Sequence, residues 1–555
     1  MAVLTGLEAA ANSLSSIHQR LNSDNYKLVV IGPSDFSSQI APLITHKIER
    51  GITSKFVSLT DVYSGTYFPV TGRDNQEKIK YFIKNAMENW QTGYILLAGG
   101  NNLLPGRETH VYIADDPEYG HEIFISDLYY ADIYNETGGF SSWDTNNNNI
   151  FGEYNWYNQT DSVNLHPDVY LARLPATSAS QVTVCVNKII NYENTPGYQQ
   201  SWFPYITVCG GDSFSDNDSV NEGEYANQKI VNLMTSFTPT ELWVTNGKLT
   251  SINPTGVDNI KTALNAGCGF VDFNGHANTN IWATHPHNDF STWVPTPTGG
   301  FKTSDIQTLS NGDKLPIVTV EAPDAAEFAS DPNCFNWAFI YNSNGGAIGS
   351  FGATGIAYCY VGTGVTQGLI GKIGLDTYKA YKIDKSTTFG EIWAKTLERY
   401  IKSGMTDADY KTVEEWEAFG DPTLAIAEAS QPPAKPTTPR GAASGKPGTE
   451  YSYTTSTTDP ESDKIYYLFD WGDGTTSGWT GPYNSGAVAT AKKNWTAKGT
   501  YEIKVIAKDI HGQLSAWSDP LSVTMPYEPP RFPFVHWLLE RFSHAFPILR
   551  HLMGY

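Results

Sequence analysis

Gly267-Cys268-Gly269-Phe270-Val271-Asp272-Phe273-Asn274-Gly275-His276 is the stretch that decides how this chain folds. An apolar run of strand length that closes on Gly-His reads as a buried strand delivering a histidine at its C-terminal end. Further on, Leu315-Pro316-Ile317-Val318-Thr319-Val320-Glu321-Ala322 reads the same way and delivers Pro323. Strands that are apolar throughout belong to parallel sheets covered on both faces, and function gathers at the carboxyl ends of such strands. If the two strands are neighbours, a histidine base at the end of one faces a residue without a nucleophile at the end of the other.

The same pattern extends in both directions. Residues 26–31, 55–59 and 94–98 read as strands, with helices over 36–51 and 76–91. Residues 126–153 are loop-like, and a long helix ends at 194. Strand 205–209, helix 221–235 and strand 241–244 lead into the two site strands. A strand within 345–352 and helices to about 405 follow, and 419–424 closes the unit. The expected fold class is α/β: a mostly parallel sheet with helices on both faces over residues 1–429, in two halves of about 1–200 and 201–429.

Residues 430–447 are rich in Pro, Ala, Gly and Ser and read as a semi-rigid linker. Beyond them the hydrophobic period drops to two, in 451–454, 465–471 and 501–507. That pattern predicts an immunoglobulin-like antiparallel β-sandwich over 448–526. The tail 527–555 is aromatic and basic, interrupted by Pro533 and Pro547, and reads as short amphipathic helices that dock on a partner or surface.

Composition narrows the function classes. A net charge of −21 argues against nucleic acid as a partner, because phosphate binding needs a basic surface. Aromatic residues make up 13% of the chain, a mix that suits a β-rich secreted or surface protein. No run of 18 apolar residues occurs, so no membrane span is expected. The first eight residues lack a basic, apolar signal pattern, and the expectation is that the sequence begins downstream of its signal. Five cysteines without regular spacing read as buried free thiols, with a disulfide through Cys334 as the alternative.

Three motifs carry chemistry. Gly275 lets the backbone approach a ligand closely and offers its N–H to an oxyanion beside the His276 base. His285 and His287 lie near, but a zinc trio with His276 lacks an HExxH pattern or a well-spaced carboxylate and is the weaker reading. In Asp144-Thr145-Asn146-Asn147-Asn148-Asn149-Ile150-Phe151-Gly152-Glu153, oxygen side chains of Asp144, Asn146 and Asn148 alternate. With the Ile150 carbonyl and Glu153 they form a candidate structural Ca2+ loop.

These pieces add up to a resemblance. Residues 94–100, 126–132, 167–175, Gly275-His276, 345–348 with 352–354, and 420–424 fall in an order similar to that of the gingipain family of cysteine peptidases, which has a caspase-like fold. The resemblance implies His276 as general base and a nucleophilic cysteine opening a Cys-x-x-x-x-Phe-like segment. The matching stretch here is Pro323-Asp324-Ala325-Ala326-Glu327-Phe328, so proline holds the cysteine position. Neither a sulfur nor an N–H remains there, and catalysis is expected to be impaired. An active hydrolase using Cys334 and a non-enzymatic adhesive surface protein are the alternatives.

The C-terminal module, with Phe469-Asp470-Trp471-Gly472-Asp473-Gly474-Thr475, resembles a PKD domain. That resemblance implies a spacer or a binder of surface polymers, hence an extracellular protein acting on peptides or proteins.

Overall fold

The computed structural model describes residues 25–525 except 117, 119, 217, 251–253, 296–298, 403, 427–431, 461 and 511–512. The signal reading of the first eight residues and the helical reading of the tail 527–555 lie outside the described residues. The chain divides into two units, Met1–Glu428 and Ala429–Tyr555.

The first unit is built on a ten-stranded sheet. Its strands are β1 (Leu28–Gly32), β2 (Ser54–Ser58), β3 (Tyr94–Ala98), β4 (Tyr170–Leu174), β5 (Tyr205–Gly210), β6 (Thr238–Trp243), β7 (Phe270–Asn274), β8 (Ile317–Glu321), β9 (Gly349–Ala353) and β10 (Trp416–Phe419). They run in the order β2-β1-β3-β4-β10-β9-β8-β7-β5-β6, with every neighbouring pair parallel except β9 and β10. Every residue of β1, β7, β8, β9 and β10 is buried, so helices and loops cover both faces. The intervening helices begin where the sequence supplies an N-cap: Asp74, Ser178, Thr255 and Thr388 each accept a backbone N–H two or three residues into the helix.

One strand is missing from the sequence reading. Residues 416–419 form β10, inserted between β4 and β9, which makes the two halves one continuous sheet. Charge disguised it. Glu417 is fully buried and accepts from Asp127 N at 3.3 Å, and Asp127 pairs with Arg173 of β4. Burial holds the Glu417 carboxyl well above the usual carboxylate range, so a neutral acid sits in the core.

In the second unit, strands Thr476–Tyr483, Ile465–Asp470, Gly499–Asp509 and Leu521–Met525 form one antiparallel sheet, and Glu450–Thr455 pairs with Ala489–Asn494. Alternate residues of Ile465–Asp470 are buried, and Tyr453, Tyr467, Phe469, Trp471 and Trp495 fill the space between the sheets. Asp470 and Asp473 fix the tight turn by accepting from Gly472 N and Thr475 N.

The expected linker needs correcting. Residues 430–431 lie outside the described residues, but 434–445 run along the sandwich. Ala434 N bonds Thr458 O, Thr437 N bonds Ser456 O, Arg440 exchanges bonds with Thr454, and Gly445 N bonds Thr524 O. Pro436 and Pro439 fall between these donors, the placement an edge segment tolerates.

Candidate active site

β7 and β8 are parallel neighbours in register from Phe270 opposite Ile317 to Asn274 opposite Glu321. Both strands then leave the sheet. His276 and Pro323 come off their ends and line one cleft of about 180 Å3, together with Ser213, Phe214, Glu321 and Cys359. A roomier depression of about 580 Å3 lies beside Lys188. There the ammonium is spent on the carbonyls of Phe339, Ile340, Asn342 and Gly345, and no cysteine or histidine lines it.

Gly275 places the histidine. Its φ of 154° and the Ala283 carbonyl, 2.8 Å from where a Cβ would stand, leave room for no other residue. Its N–H, expected to serve an oxyanion, is donated to Glu321 O at 3.3 Å, because the β7–β8 ladder continues one step past Asn274. Gly275 therefore has a positioning role only. The His276 imidazole is held through Nε2, 3.1 Å from Ser213 O. A carbonyl only accepts, so Nε2 carries the proton and Nδ1 keeps its lone pair. A backbone carbonyl thus orients the imidazole. Burial first, then neighbouring His285, lowers the His276 pKa below the usual histidine value and keeps it a neutral base at neutral pH.

Beneath the cleft floor lies a buried acid pair. Asp272 accepts from Asn227 Nδ2 at 2.7 Å and from Tyr378 OH at 3.2 Å, tying helices Glu222–Leu233 and Leu369–Lys382 to the sheet. Glu321 accepts from Asn274 Nδ2 at 2.5 Å, and the two carboxyls hydrogen-bond each other. Burial pushes Asp272 up to about 7 and Glu321 well above the carboxylate range, so the pair shares a proton.

Pro323 leaves its carbonyl side followed by Asp324, whose φ of 57° marks a tight left-handed turn stabilised by Asp324 N on Gly355 O at 2.9 Å. Cys334 does not reach the cleft: it is fully buried at the start of helix Phe335–Tyr341, and burial pushes its thiol far up. All five cysteines are free thiols. Cys359, read from sequence as core, is instead partly exposed in the cleft, and burial pushes its thiol up to about 12. Its apolar surroundings, Ala357-Tyr358-Cys359-Tyr360, carry no signal that distinguishes a cleft wall from core.

The zinc reading fails on geometry. His276 Nε2 faces Ser213 O, His285 Nδ1 faces Thr292 O, and His287 Nδ1 faces Asn221. Among the described residues, the one trio of His, Cys, Asp and Glu side chains with converging ligand atoms is Asp216, Asp218 and Glu222. The Asp144 loop does fold around its own oxygens. Asn148 N donates to Asp144 Oδ1 and Asn146 Oδ1, Ile150 N donates to Asn148 Oδ1, and Asn146 and Asn148 amides reach Glu153 Oε2. Arg73 pairs with Asp144, while Glu153 Oε1 is buried without a hydrogen-bond partner. Glu153 Oε1 is thus the acceptor left open to a hard cation in this loop, the side-chain oxygens of Asp144, Asn146 and Asn148 accepting from backbone N–H and Arg73.

A sheet that sets a Gly-His strand end beside the strand end of an expected nucleophile is the scaffold of a cysteine peptidase of gingipain type. The chain belongs to peptidase family C25, whose model matches residues 21–427. It is similar to the crystal structure of the Arg-specific cysteine proteinase gingipain R, at 16% identity and TM-score 0.53 over 91% of this chain and 99% of that one. It is also similar to the Porphyromonas gingivalis RgpB complex of pro- and mature domains, at 16% identity and TM-score 0.51 over 90% of this chain and 100% of that one. A PKD domain of an M14-like peptidase from a Thermoplasmatales archaeon matches 18% of this chain and 100% of its own length, at 45% identity and TM-score 0.17. No curated protein sequence matches.

Proposed function

We propose that this protein is an extracellular member of the gingipain family that holds peptides or proteins in the His276–Pro323 cleft and cleaves them poorly or not at all. One observation carries the reading: the position that faces the His276 base from the neighbouring strand is Pro323. Peptide cleavage by acyl transfer needs a thiolate to attack the carbonyl and a donor to hold the resulting oxyanion. Proline supplies neither, and Gly275 N–H is engaged by the sheet. Loss of a nucleophile costs orders of magnitude in rate, while binding surfaces survive it.

A second reading rests on Cys359, the one thiol lining the cleft with His276. Its raised pKa leaves almost no thiolate at neutral pH, which weighs against it as a nucleophile. The PKD module serves as a spacer or a binder of surface polymer, and the Asp144 loop takes Ca2+ as a structural ion. Among the described residues no helix is long and apolar enough to cross a membrane.

Incubation with fluorescein-labelled peptide libraries tests the reading. Saturable binding with no cleaved product over hours is expected. Cleavage that iodoacetamide abolishes would favour the Cys359 reading instead.

A further inference from the structure

The loop that follows His276 builds a second surface beside the imidazole. His276 lies edge-on to Trp293 at 5.4 Å and to Phe290 at 6.3 Å between ring centroids. Trp293 is 44% exposed and Phe290 40%. Among the described residues of the first unit, no other tryptophan is so exposed. Between these rings His285 is fully buried, stacked on Phe290 at 4.3 Å and packed against Trp293 at 3.8 Å.

The shelf is rigid. Thr284 and Val294 exchange backbone bonds at its base, and His285 Nδ1 holds Thr292 O at 2.9 Å. Asn288 N donates to Asp212 Oδ2 at 2.6 Å, and the Asp289 carboxylate is turned onto Ser291. Two aromatic faces are thus held out to solvent by a loop bonded at its base, with His285 Nε2 buried beneath them without a hydrogen-bond partner. Tyr360 and Val361, 45% and 50% exposed, follow directly after cleft-lining Cys359.

We infer that Trp293 and Phe290 form a subsite for an aromatic or large aliphatic side chain of the peptide whose backbone occupies the adjoining cleft. The inference rests on the peptide-binding reading above. Continuity carries it: His276 is a wall of the cleft and a neighbour of the shelf, so an extended peptide passing the imidazole brings a side chain over the rings. Asp212 and Asp289 accept from Asn288 N and from Ser291 N and Oγ. The rings themselves present apolar area, which an aromatic or large aliphatic side chain covers. Exposed, preorganised aromatic rings are the groups that dominate such recognition, because they bring large contact area at little conformational cost.

The test uses the full chain and a positional library of N-acetylated, C-amidated hexapeptides labelled with fluorescein, read by anisotropy. Phe, Tyr, Trp or Leu at one position is expected to tighten binding about tenfold over Ala. Trp293→Ala or Phe290→Ala should erase that preference while binding of Ala-containing peptides stays unchanged and the protein remains folded, and Trp293→Phe should retain most of it. Peptides that bind with no apolar preference, or a preference for Lys or Arg that survives both alanine variants, would overturn the subsite and leave the cleft reading standing. Uniformly weaker binding of all peptides in the alanine variants would assign the loop a merely structural role and overturn the subsite as well. Failure of any peptide to bind the unaltered protein would overturn both.

Discussion

His276 and Pro323 occupy equivalent positions past the ends of adjacent parallel strands, each two residues beyond the Asn274–Glu321 register pair. Parallel neighbours lie about 4.8 Å apart, so the base and the proline ring are brought to a common cleft by sheet geometry alone. The scaffold for peptide chemistry is intact where the chemistry itself lacks an attacking group.

Gly275→Ala should disturb both. At a φ of 154° with Ala283 O 2.8 Å from the added Cβ, the strain is expected to cost about 1–3 kcal/mol. A urea titration would show the lowered midpoint, and anisotropy would show weakened peptide binding. Unchanged values of both would mean that the turn tolerates a side chain.

The thiols should be inert. Burial raises Cys359 to about 12 and also lifts Cys185, Cys209, Cys268 and Cys334. At pH 7 the folded protein is expected to react with DTNB at least about a hundredfold more slowly than free cysteine, and to release all five equivalents after denaturation. A fast single equivalent in the native state would contradict the proposed inertness of Cys359.

The acid pair under the cleft sets a pH dependence. Asp272 holds its proton to about 7 when folded, whereas an unfolded aspartate loses it near 4. Between those values the unfolded state binds fewer protons, so this group makes stability fall as pH rises, by up to about 1.4 kcal/mol per pH unit. Asp272→Asn should flatten the difference between urea midpoints at pH 5 and pH 7. The same slope in the variant would place the titration elsewhere.

Much of this was legible in the chain. Buried-strand runs and the Gly-His ending were enough to place His276 opposite Pro323, because strand length and parallel register leave little freedom. The orienting Ser213 carbonyl was not legible, since every residue carries a carbonyl and only the fold selects one. Cys359 hid in an apolar run that reads as core, and β10 hid behind Glu417, a charge-bearing residue buried by a network spanning Asp127 and Arg173. The Pro-rich segment before the sandwich read as linker because prolines mark both linkers and strand edges.

The Asp144 loop gives a further test. Millimolar Ca2+ added to EDTA-treated protein should raise the melting temperature by about 2–5 °C, through preferential binding to the folded state. Asp144→Ala should abolish the rise. No shift in the unaltered protein would mean that Arg73 and the Asn amides satisfy the loop without an ion.

Restoring a thiol at position 323 tests the central claim most directly. Pro323→Cys supplies both a sulfur and a backbone N–H opposite His276, so a quenched peptide library should be cleaved at a rate well above that of the unaltered protein. The activity should vanish on alkylation and in the His276→Ala double variant. A folded Pro323→Cys protein that binds peptides yet cleaves none of them would contradict the view that the proline is what silences this site.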